Sequence, residues 1–525
     1  MFTNKKSLLA LSVASAFALT GCFSDDDSND YTPDPGGPGD GGSVIAPETP
    51  VALDFVISGS VVENEDFNVL SNATVKFMEN GVESSNIINI DGSSAQSLTD
   101  AGSFFVTLKE GADLDSVTAI VSADGYISKV FSIDLTNEDD ADVLTAQFVL
   151  FTGDSDEVKT EVTTETLASA TTSAEIKADA AIINGASLAS ATLPAGITLQ
   201  NAAGDAVEAG ELSLSVLGTD PTSDTKGSII PQGLNANNTS GNVAVPVSVA
   251  DITMTVGDTK VKKLGGDTLN VTLAAPADLD AGETLSVKSL DEDTGVWKDE
   301  SFAVTKGIGT VSFETDHLTW FSVNKSATAC STGLSTTVTG DAVPSGGLTF
   351  VAASSDGLGF SMIPAGATSA DVFTAATLTF NGFSADAMAE VYVFDSEGGM
   401  WFESDGEVAV CGTVPVELEQ PYTVVEKTLT LSAVCANDNE IAVDLSNSVV
   451  SYGRENKVAK TALKNADDNF DLVGLKEGET YNVAVNFRGV PVVGDNTFSF
   501  EADAEALTQE FEVTCPEGTG GTGGN

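Results

Sequence analysis

From residue 50 onward the chain repeats one pattern, in which short runs of Val, Ile, Leu, Thr and Phe alternate with clusters of Gly, Asp, Asn and Pro. Examples of these runs are SFFVTL (103–108), ELSLSVL (211–217), TLNVTLA (268–274) and YNVAVNF (481–487). Such turn residues join antiparallel strands, whose side chains alternate between two faces. Helix-period patterns are almost absent beyond the N-terminus, and we interpret the Thr-rich segment 161–180 as strand or loop. The pattern predicts an all-β chain of tandem β-sandwiches.

The chain is strongly acidic, with a net charge of −56 from 22 basic and 78 acidic residues. Because 42% of its residues are apolar, sizeable cores can form, and we expect folded domains with acidic surfaces. This charge repels nucleic acid and anionic lipid headgroups, and no Lys/Arg cluster offsets it. We interpret the acidity as an adaptation that keeps the protein soluble in salty surroundings. The alternative interpretation is that the acidic residues bind divalent cations. A nucleic-acid partner is excluded.

The N-terminus reads as a secretion signal that ends at a cysteine. Two lysines precede the apolar run SLLALSVASAFALT, which is too short for a membrane span of about 20 residues. The run ends in Leu19-Thr20-Gly21-Cys22, which resembles the bacterial lipobox. The resemblance implies a lipoprotein signal peptide over 1–21 and acyl chains such as palmitate on Cys22, which hold the protein on a membrane. Phe23 follows the cysteine in place of the Asp that retains enterobacterial lipoproteins at the inner membrane. We therefore expect the outer membrane, on its periplasmic or its outer face.

An acidic segment rich in Pro and Gly follows the cysteine. Residues 22–49 contain hardly an apolar side chain beyond the acylated cysteine, so they cannot offset the entropy cost of ordering and are predicted to be a disordered linker. A flexible chain of this length spans roughly 30 Å on average. The Gly-rich tail 517–525 is predicted to be disordered as well.

The first folded segment, 50–152, carries the marks of a known module. Its opening strand contains Gly59, a Thr-Asp-x-Gly turn (99–102) precedes Phe104, and Gly125-Tyr126 follows the next strand. These features resemble the carboxypeptidase regulatory-like, transthyretin-like family. The resemblance implies a seven-stranded sandwich that serves as a structural or binding module and has no catalytic residues of its own.

The second segment, 153–328, resembles the β-sandwich modules of ankyrins and netrin receptors. The order of its runs carries the likeness, from LPAGITL (193–199) to the closing HLTWFSVN (317–324). The resemblance implies that the turn Asp293-Thr294-Gly295 joins two strands and that Trp297 packs on the sandwich.

Two further sandwiches are expected at 329–420 and 421–516. The stretch 468–487 shares an aromatic run, Leu-Lys-Glu-Gly and a following β-run with 102–121, so the last domain is interpreted as a second transthyretin-like sandwich. Similarly, 361–380 echoes LPAGITL, which makes the third domain a divergent relative of the second.

Four cysteines besides Cys22 lie in these two domains, and four cysteines allow three pairings. Export to an oxidising compartment permits disulfides. The spacings favour Cys330–Cys411 and Cys435–Cys515, each joining the first and last strands of one domain. Loops of this length contribute at most about 4 kcal/mol each through chain entropy.

Catalytic residues are not identified. The only histidine, His317, lies beside a closing β-run and has no second His or Cys to complete a site, so we expect a structural role. The nucleophile-elbow, zincin and phosphate-loop motifs are missing. Any pair of carboxylates is uninformative among 78 acidic residues.

The sequence contains candidates for two kinds of binding site. Calcium is an alternative at NEDDAD (137–142), LDEDTG (290–295) and NADDNFD (465–471), but none has EF-hand spacing, and β-turns also favour Asp and Asn. We therefore assign no cofactor and no metal ligand, and keep Ca²⁺ as a hypothesis. Trp297, Trp320 and Trp401 lie in or next to β-runs, which favours packing in the core over a carbohydrate-binding platform.

The sequence thus predicts an exported, membrane-anchored bacterial lipoprotein with a non-catalytic structural, adhesive or ligand-binding role. A surface glycan or a protein is the expected ligand. The alternative is a polysaccharide-acting enzyme, or an enzyme accessory protein, whose catalytic or carbohydrate-binding module is not recognised.

Overall fold

Strands separated by tight turns make up nearly all of the regular structure. The computed structural model describes residues 44–517, together with the backbone of Val13–Ala14; within 44–517 it leaves out 54, 65–67, 100–101, 136–142, 156, 184–185, 224–225, 237, 239–240 and 278. Cys22, nearly all of the predicted signal peptide and most of the predicted linker and tail lie outside this part. The all-β prediction is confirmed, since only two short helices, Lys226–Ile229 (α1) and Ala375–Phe380 (α2), occur among the described residues.

The first sandwich contains two sheets. Its strands are β1 (Val13–Ala14), β2 (Val56–Glu63), β3 (Thr74–Glu79), β4 (Val82–Glu83), β5 (Ile87–Asn89), β6 (Ser97–Leu98), β7 (Ser103–Leu108), β8 (Ser116–Ser122), β9 (Lys129–Asp134) and β10 (Val143–Leu150). The sheet orders are β1-β10-β2-β7-β5 and β4-β3-β8-β9, with β6 beside β3. Phe77, Phe104, Phe131 and Phe148 pack between these sheets.

The second sandwich is the largest. Its strands are β11 (Val158–Leu167), β12 (Ile176–Ile183), β13 (Ala186–Leu193), β14 (Gly210–Thr219), β15 (Asn242–Val256), β16 (Thr259–Lys260), β17 (Leu269–Ala274), β18 (Leu285–Asp291), β19 (Val296–Glu300), β20 (Thr305–Lys306), β21 (Thr310–Thr315) and β22 (Trp320–Thr328). The sheets run β11-β14-β15-β22-β18-β19, with β16 beside β15, and β12-β13-β17-β21-β20. The ambiguous segment 161–180 therefore contributes to two strands.

The third sandwich contains β23 (Leu334–Gly340), β24 (Leu348–Ala353), β25 (Leu358–Ile363), β26 (Ser369–Phe373), β27 (Met388–Phe394), β28 (Met400–Glu403), β29 (Val408–Ala409) and β30 (Gly412–Leu418). Its sheets run β26-β23-β30 and β25-β24-β27-β28, with β29 beside β27.

The fourth sandwich contains β31 (Val424–Cys435), β32 (Asp438–Val443), β33 (Val449–Gly453), β34 (Lys460–Thr461), β35 (Leu463–Lys464), β36 (Phe470–Lys476), β37 (Thr480–Asn486), β38 (Val492–Val493), β39 (Thr497–Glu501) and β40 (Leu507–Val513). Its sheets run β35-β36-β31-β40-β38, with β32 beside β31, and β34-β33-β37-β39.

Two disulfide bonds join first and last strands, so this prediction is confirmed. Strand β23 pairs in parallel with β30, and β31 pairs in parallel with β40. The Cys330–Cys411 bond lies at the entry to the first of these pairs. The Cys435–Cys515 bond lies at the exit of the second. A parallel pair cannot be joined by a tight hairpin, and each bond closes one end of its strand pair.

The four sandwiches pack against one another instead of forming an extended string. Apolar residues on outer sheet faces meet in one buried group, which we call the junction cluster. It consists of Val62, Ile127, Val130, Val149 and Phe151 from the first sandwich and its exit; Val158, Leu217, Ile229, Ile230, Leu234, Val249, Leu290, Trp297 and Trp320 from the second; and Val351, Leu358, Phe360 and Tyr392 from the third. Val458 of the fourth sandwich packs against it.

The end of the fourth sandwich also contacts residues 44 and 45, near the start of the described chain. Val44 forms an isolated antiparallel bridge with Glu517, and the Ile45 N–H donates to the Pro516 carbonyl at 3.0 Å. Residues 44–49, which the sequence assigns to the linker, thus lie against the fourth sandwich because Val44 and Ala46 pack on its core. Val449 completes a small apolar contact with Val56 of the first sandwich.

A buried ion-pair network fastens the third sandwich to the fourth. Glu397, in the turn between β27 and β28, has a side chain only 4% exposed. Its carboxylate lies 2.6 Å from Arg454 Nε and 2.7 Å from Lys460 Nζ. Burial opposes ionisation of Glu397, but Lys460 and Arg454 together lower its pKa below the usual value.

Gly59, a small residue on β2, is required there by the packing of the core. Gly59 on β2 faces the Phe104 ring on the neighbouring strand β7, and a Cβ at position 59 would overlap that ring. Phe104 stands in the core of the first sandwich beside Phe77 and Phe148, so its ring has no space to retreat.

We expect Gly59→Ala to lower the stability of the first sandwich by about 1–3 kcal/mol, because the methyl group overpacks the core. Gly346→Ala is the matched control, since the nearest atoms to its Cβ would be 3.8 Å away. Urea unfolding followed by circular dichroism measures both. Equal midpoints for the two variants would contradict the packing argument.

Candidate binding cleft between the first two sandwiches

A cleft of about 710 Å³ lies between the first and second sandwiches. This volume is within the range of small-molecule sites, roughly 300–1,000 Å³. Its walls are the outer faces of two sheets, which contribute alternate residues: Thr74, Lys76 and Met78 from β3, Ile120 and Ser122 from β8, Ser215 and Leu217 from β14, and Asp251 and Thr253 from β15. Because successive side chains point to opposite faces, the intervening residues fill the two cores.

Asp251 is the most unusual residue of the cleft. It lies on the central strand β15, with Leu217 opposite it on one neighbouring strand and Trp320 opposite it on the other. Its Oδ1 atom is buried and has no hydrogen-bond partner. Burial, together with the nearby Glu292, raises the pKa of Asp251 to about 7.

Glu292 contributes a second carboxylate, in the turn after β18. Its Oε2 lies 2.6 Å from Lys260 Nζ and 2.8 Å from Lys262 Nζ. Burial opposes the charge, but the two ammonium groups lower the pKa of Glu292 below its ordinary value. The cleft therefore holds two carboxyl groups whose surroundings shift their pKa values in opposite directions.

Lys129 lies at the first-sandwich side of the cleft and is almost fully buried. Its Nζ donates to the Ser228 carbonyl at 2.7 Å and lies 4.9 Å from the centre of the Phe151 ring. Burial lowers the pKa of Lys129 to about 7. An amine and a carboxyl group in one cleft thus both titrate near neutral pH.

The calcium hypothesis finds no support at two of its three sites. Segment 137–142 lies outside the described residues. In segment 290–295, Asp291 Oδ1 accepts from the Thr294 N–H and Oδ2 lies 2.7 Å from Lys298 Nζ. In 465–471, Asn465 Oδ1 accepts the N–H groups of Asp467 and Asn469. These are turn contacts. Across the described part of the chain, no three His, Cys, Asp or Glu residues form a metal-binding group.

His317 occupies a structural position. Its Nδ1 lies 2.8 Å from Asp316 Oδ1, its Nε2 lies 3.7 Å from Glu300, and its ring packs beside Phe302 and Phe321. These contacts fit the structural role that the sequence predicts.

The three tryptophans are buried, so a carbohydrate platform built from them is excluded. Trp297 is 7% exposed, and Trp320 and Trp401 are each 2% exposed. Trp297 Nε1 donates to the Gln232 carbonyl at 3.1 Å, and Trp401 Nε1 donates to Asp395 Oδ2 at 2.8 Å. Their polar atoms are satisfied inside the protein.

Sequence reasoning missed Asp251, although a signal is present. It lies within the β-run VAVPVSVADITMTV (243–256), in which Asp251 is the only ionisable residue. A single acidic side chain in the middle of a central strand is costly to bury as a charge. It must therefore either pair with a basic group or take up a proton. The sequence could not show that the outer face carrying it meets another sandwich.

No protein family model and no curated protein matches the chain. The minor pilin GBS52 of Streptococcus agalactiae aligns at 9% identity over 35% of this chain and 97% of the pilin, with a TM-score of 0.17. The major pilin SpaD of Corynebacterium diphtheriae aligns at 8% identity over 88% of this chain and 98% of the pilin, with a TM-score of 0.14. Similarities this low carry no argument about fold or function. No helix in the described segments is long and apolar enough to cross a membrane.

Asp251 gives a prediction about pH. Its pKa is about 7 in the folded protein and near 3.8 when unfolded, so the folded state binds the extra proton between these values. Stability conferred by this site is therefore lost as pH rises from 4 to 7. Asp251→Asn, which cannot ionise, should stabilise the protein at pH 8 by on the order of 2 kcal/mol more than at pH 5.

Chemical unfolding at the two pH values measures this difference. Asp258→Asn is the control, because Asp258 is exposed in the turn after the same strand. If both variants change stability equally at pH 5 and pH 8, Asp251 does not carry the proton.

Proposed function

We propose that the protein is a bacterial cell-envelope lipoprotein, acylated at Cys22, that binds a ligand in the cleft between its first two sandwiches and does not act as a catalyst. The observation that carries the proposal is the cleft itself, with the unpartnered Oδ1 atom of Asp251 in its wall. A buried acceptor without a donor costs about 1–3 kcal/mol. A ligand that supplies the donor removes this cost when it binds.

The N-terminal sequence supports the anchor. Two lysines, an apolar run and Leu-Thr-Gly-Cys follow one another in the order of a lipoprotein signal. The acidic residues 23–43 then act as a spacer from an outer membrane, and like charges extend such a segment. The proposed domains are 50–152, 153–328, 329–420 and 421–516.

Packing between the sandwiches supports a rigid binding unit over a flexible string. The junction cluster and the Glu397 ion pairs hold all four sandwiches in contact. The first sandwich is proposed to be of the transthyretin-like kind because Gly59 and Phe104, two of its motif residues, pack directly on each other.

Cys22→Ala should release the protein from the membrane fraction, because the acyl chains on Cys22 are what holds it there. Membrane fractionation followed by alkaline extraction measures the release. Cys330→Ala is the control for loss of a cysteine elsewhere. Firm membrane association of the Cys22 variant would contradict the anchor.

Ser215→Trp should block the cleft, because Ser215 points into it from β14 while the neighbouring residues fill the core. We expect this variant to lose the thermal stabilisation that a binding ligand gives the wild-type protein. Ser213→Trp is the matched control, two residues away on the same face but outside the cleft. The measurement is a thermal-shift screen of saccharides, polyamines and peptides. Equal responses of both variants would contradict binding in the cleft.

One observation favours a second candidate, a polysaccharide-acting enzyme. Asp251 and Glu292 form a pair with opposed pKa shifts, and acid–base catalysis in glycoside hydrolysis uses such a pair. In that function Asp251 supplies the proton and Glu292 remains ionised. Release of new reducing ends from an oligosaccharide, lost in Asp251→Asn, distinguishes this candidate from binding alone.

A further inference from the structure

The charges that line the cleft nearly balance, in contrast to the rest of the molecule. Three lysines line it, Lys76, Lys129 and Lys260, against four acids, Glu83, Asp251, Glu292 and Asp293. A cationic ligand would face Lys76 and Lys260, and Lys129 whenever that amine is protonated. An anionic ligand would face the carboxylates and the field of a chain with net charge −56. The cleft therefore favours a neutral ligand.

The cleft recognises its ligand through side chains and not through the backbone. Its walls are sheet faces, and an added peptide strand needs an open sheet edge to form backbone hydrogen bonds. Seven of the lining residues carry hydroxyl groups: Thr74, Ser122, Tyr126, Ser128, Thr160, Ser215 and Thr253. Each hydroxyl both donates and accepts, so the walls match a ligand that is itself rich in groups of both kinds.

The cleft also has an apolar part. Ile127, Val130, Leu217 and Leu290 line the cleft and belong to the junction cluster. An apolar floor with polar walls suits a molecule whose ring has C–H surfaces and whose rim carries hydroxyls. Asp251 stands between Leu217 and Trp320, where floor and wall meet.

We propose that the cleft binds a neutral, hydroxyl-rich saccharide, with the Asp251 carboxylate accepting hydrogen bonds from its hydroxyl groups. The inference rests on the proposed ligand-binding function of the cleft and names the ligand class. The Oδ1 atom of Asp251 is shielded from bulk water and has no partner, so a donor must enter the cleft to reach it. A hydrogen bond to a charged group is stronger than one between neutral groups.

The test uses the full chain in a detergent that has no sugar headgroup. Neutral oligosaccharides of glucose, mannose, xylose and galactose are titrated by isothermal calorimetry, with spermidine, an oligogalacturonate and an uncharged peptide as probes of the other classes. We expect a neutral oligosaccharide to bind and Asp251→Leu, which has a similar shape but no acceptor, to weaken it by about tenfold or more. Asp251→Asn retains one acceptor and should weaken it less. Asp258→Asn, on the exposed turn, should leave the affinity unchanged.

Each other outcome overturns the inference. Binding of spermidine, the oligogalacturonate or the peptide that is lost in both Asp251→Leu and Ser215→Trp would show a binding cleft with a different ligand class, so the proposed function would stand. Saccharide binding that neither variant weakens would place the saccharide elsewhere. If no probe binds the wild-type protein, both the ligand class and the cleft function fail.

Discussion

Burial of apolar side chains on the outer faces of the sheets determines how this protein is arranged. In an isolated sandwich these faces meet water, but here Leu217 and Trp320 of one sheet are buried together with Phe360 of another. Burying one large apolar side chain contributes about 1.5–3 kcal/mol, whereas an exposed ion pair contributes about 1 kcal/mol or less. The junction cluster is therefore the main source of contact among the first three sandwiches, and the exposed charges contribute mainly solubility.

The cleft depends on the same cluster. Its floor is formed by Ile127 and Val130 on one side and by Leu217, Leu290 and Trp320 on the other. Neither sandwich alone would shield Asp251 from water, because the opposite wall belongs to its neighbour. The raised pKa of Asp251 and its unpartnered oxygen are thus consequences of packing between sandwiches, and a shift of one against the other would change both.

Local patterns in the sequence predicted the strands, but they did not predict the contacts between sandwiches. Alternation in ELSLSVL (211–217) places Leu212 and Leu214 on one face and Ser213 and Ser215 on the other, which is what the structure contains. The spacing of the cysteines likewise predicted disulfides between first and last strands, because the number of residues between the two cysteines of each pair matches the length of one sandwich. Leu217, by contrast, reads as an ordinary apolar residue at a strand end. Nothing in its neighbours along the chain indicates that it faces another domain, and the same holds for Asp251.

The bridge between Val44 and Glu517 has a mechanical consequence. If the N-terminal side of the chain were pulled, tension would not reach the sandwiches in the order in which they follow one another along the chain. Tension on residue 44 reaches the contact with the C-terminal strand first, where the Cys435–Cys515 bond prevents that strand from peeling away. The cleft between the first two sandwiches lies beyond this contact along the chain. A pull on residue 44 would thus be borne by a disulfide-closed domain before it could open the cleft.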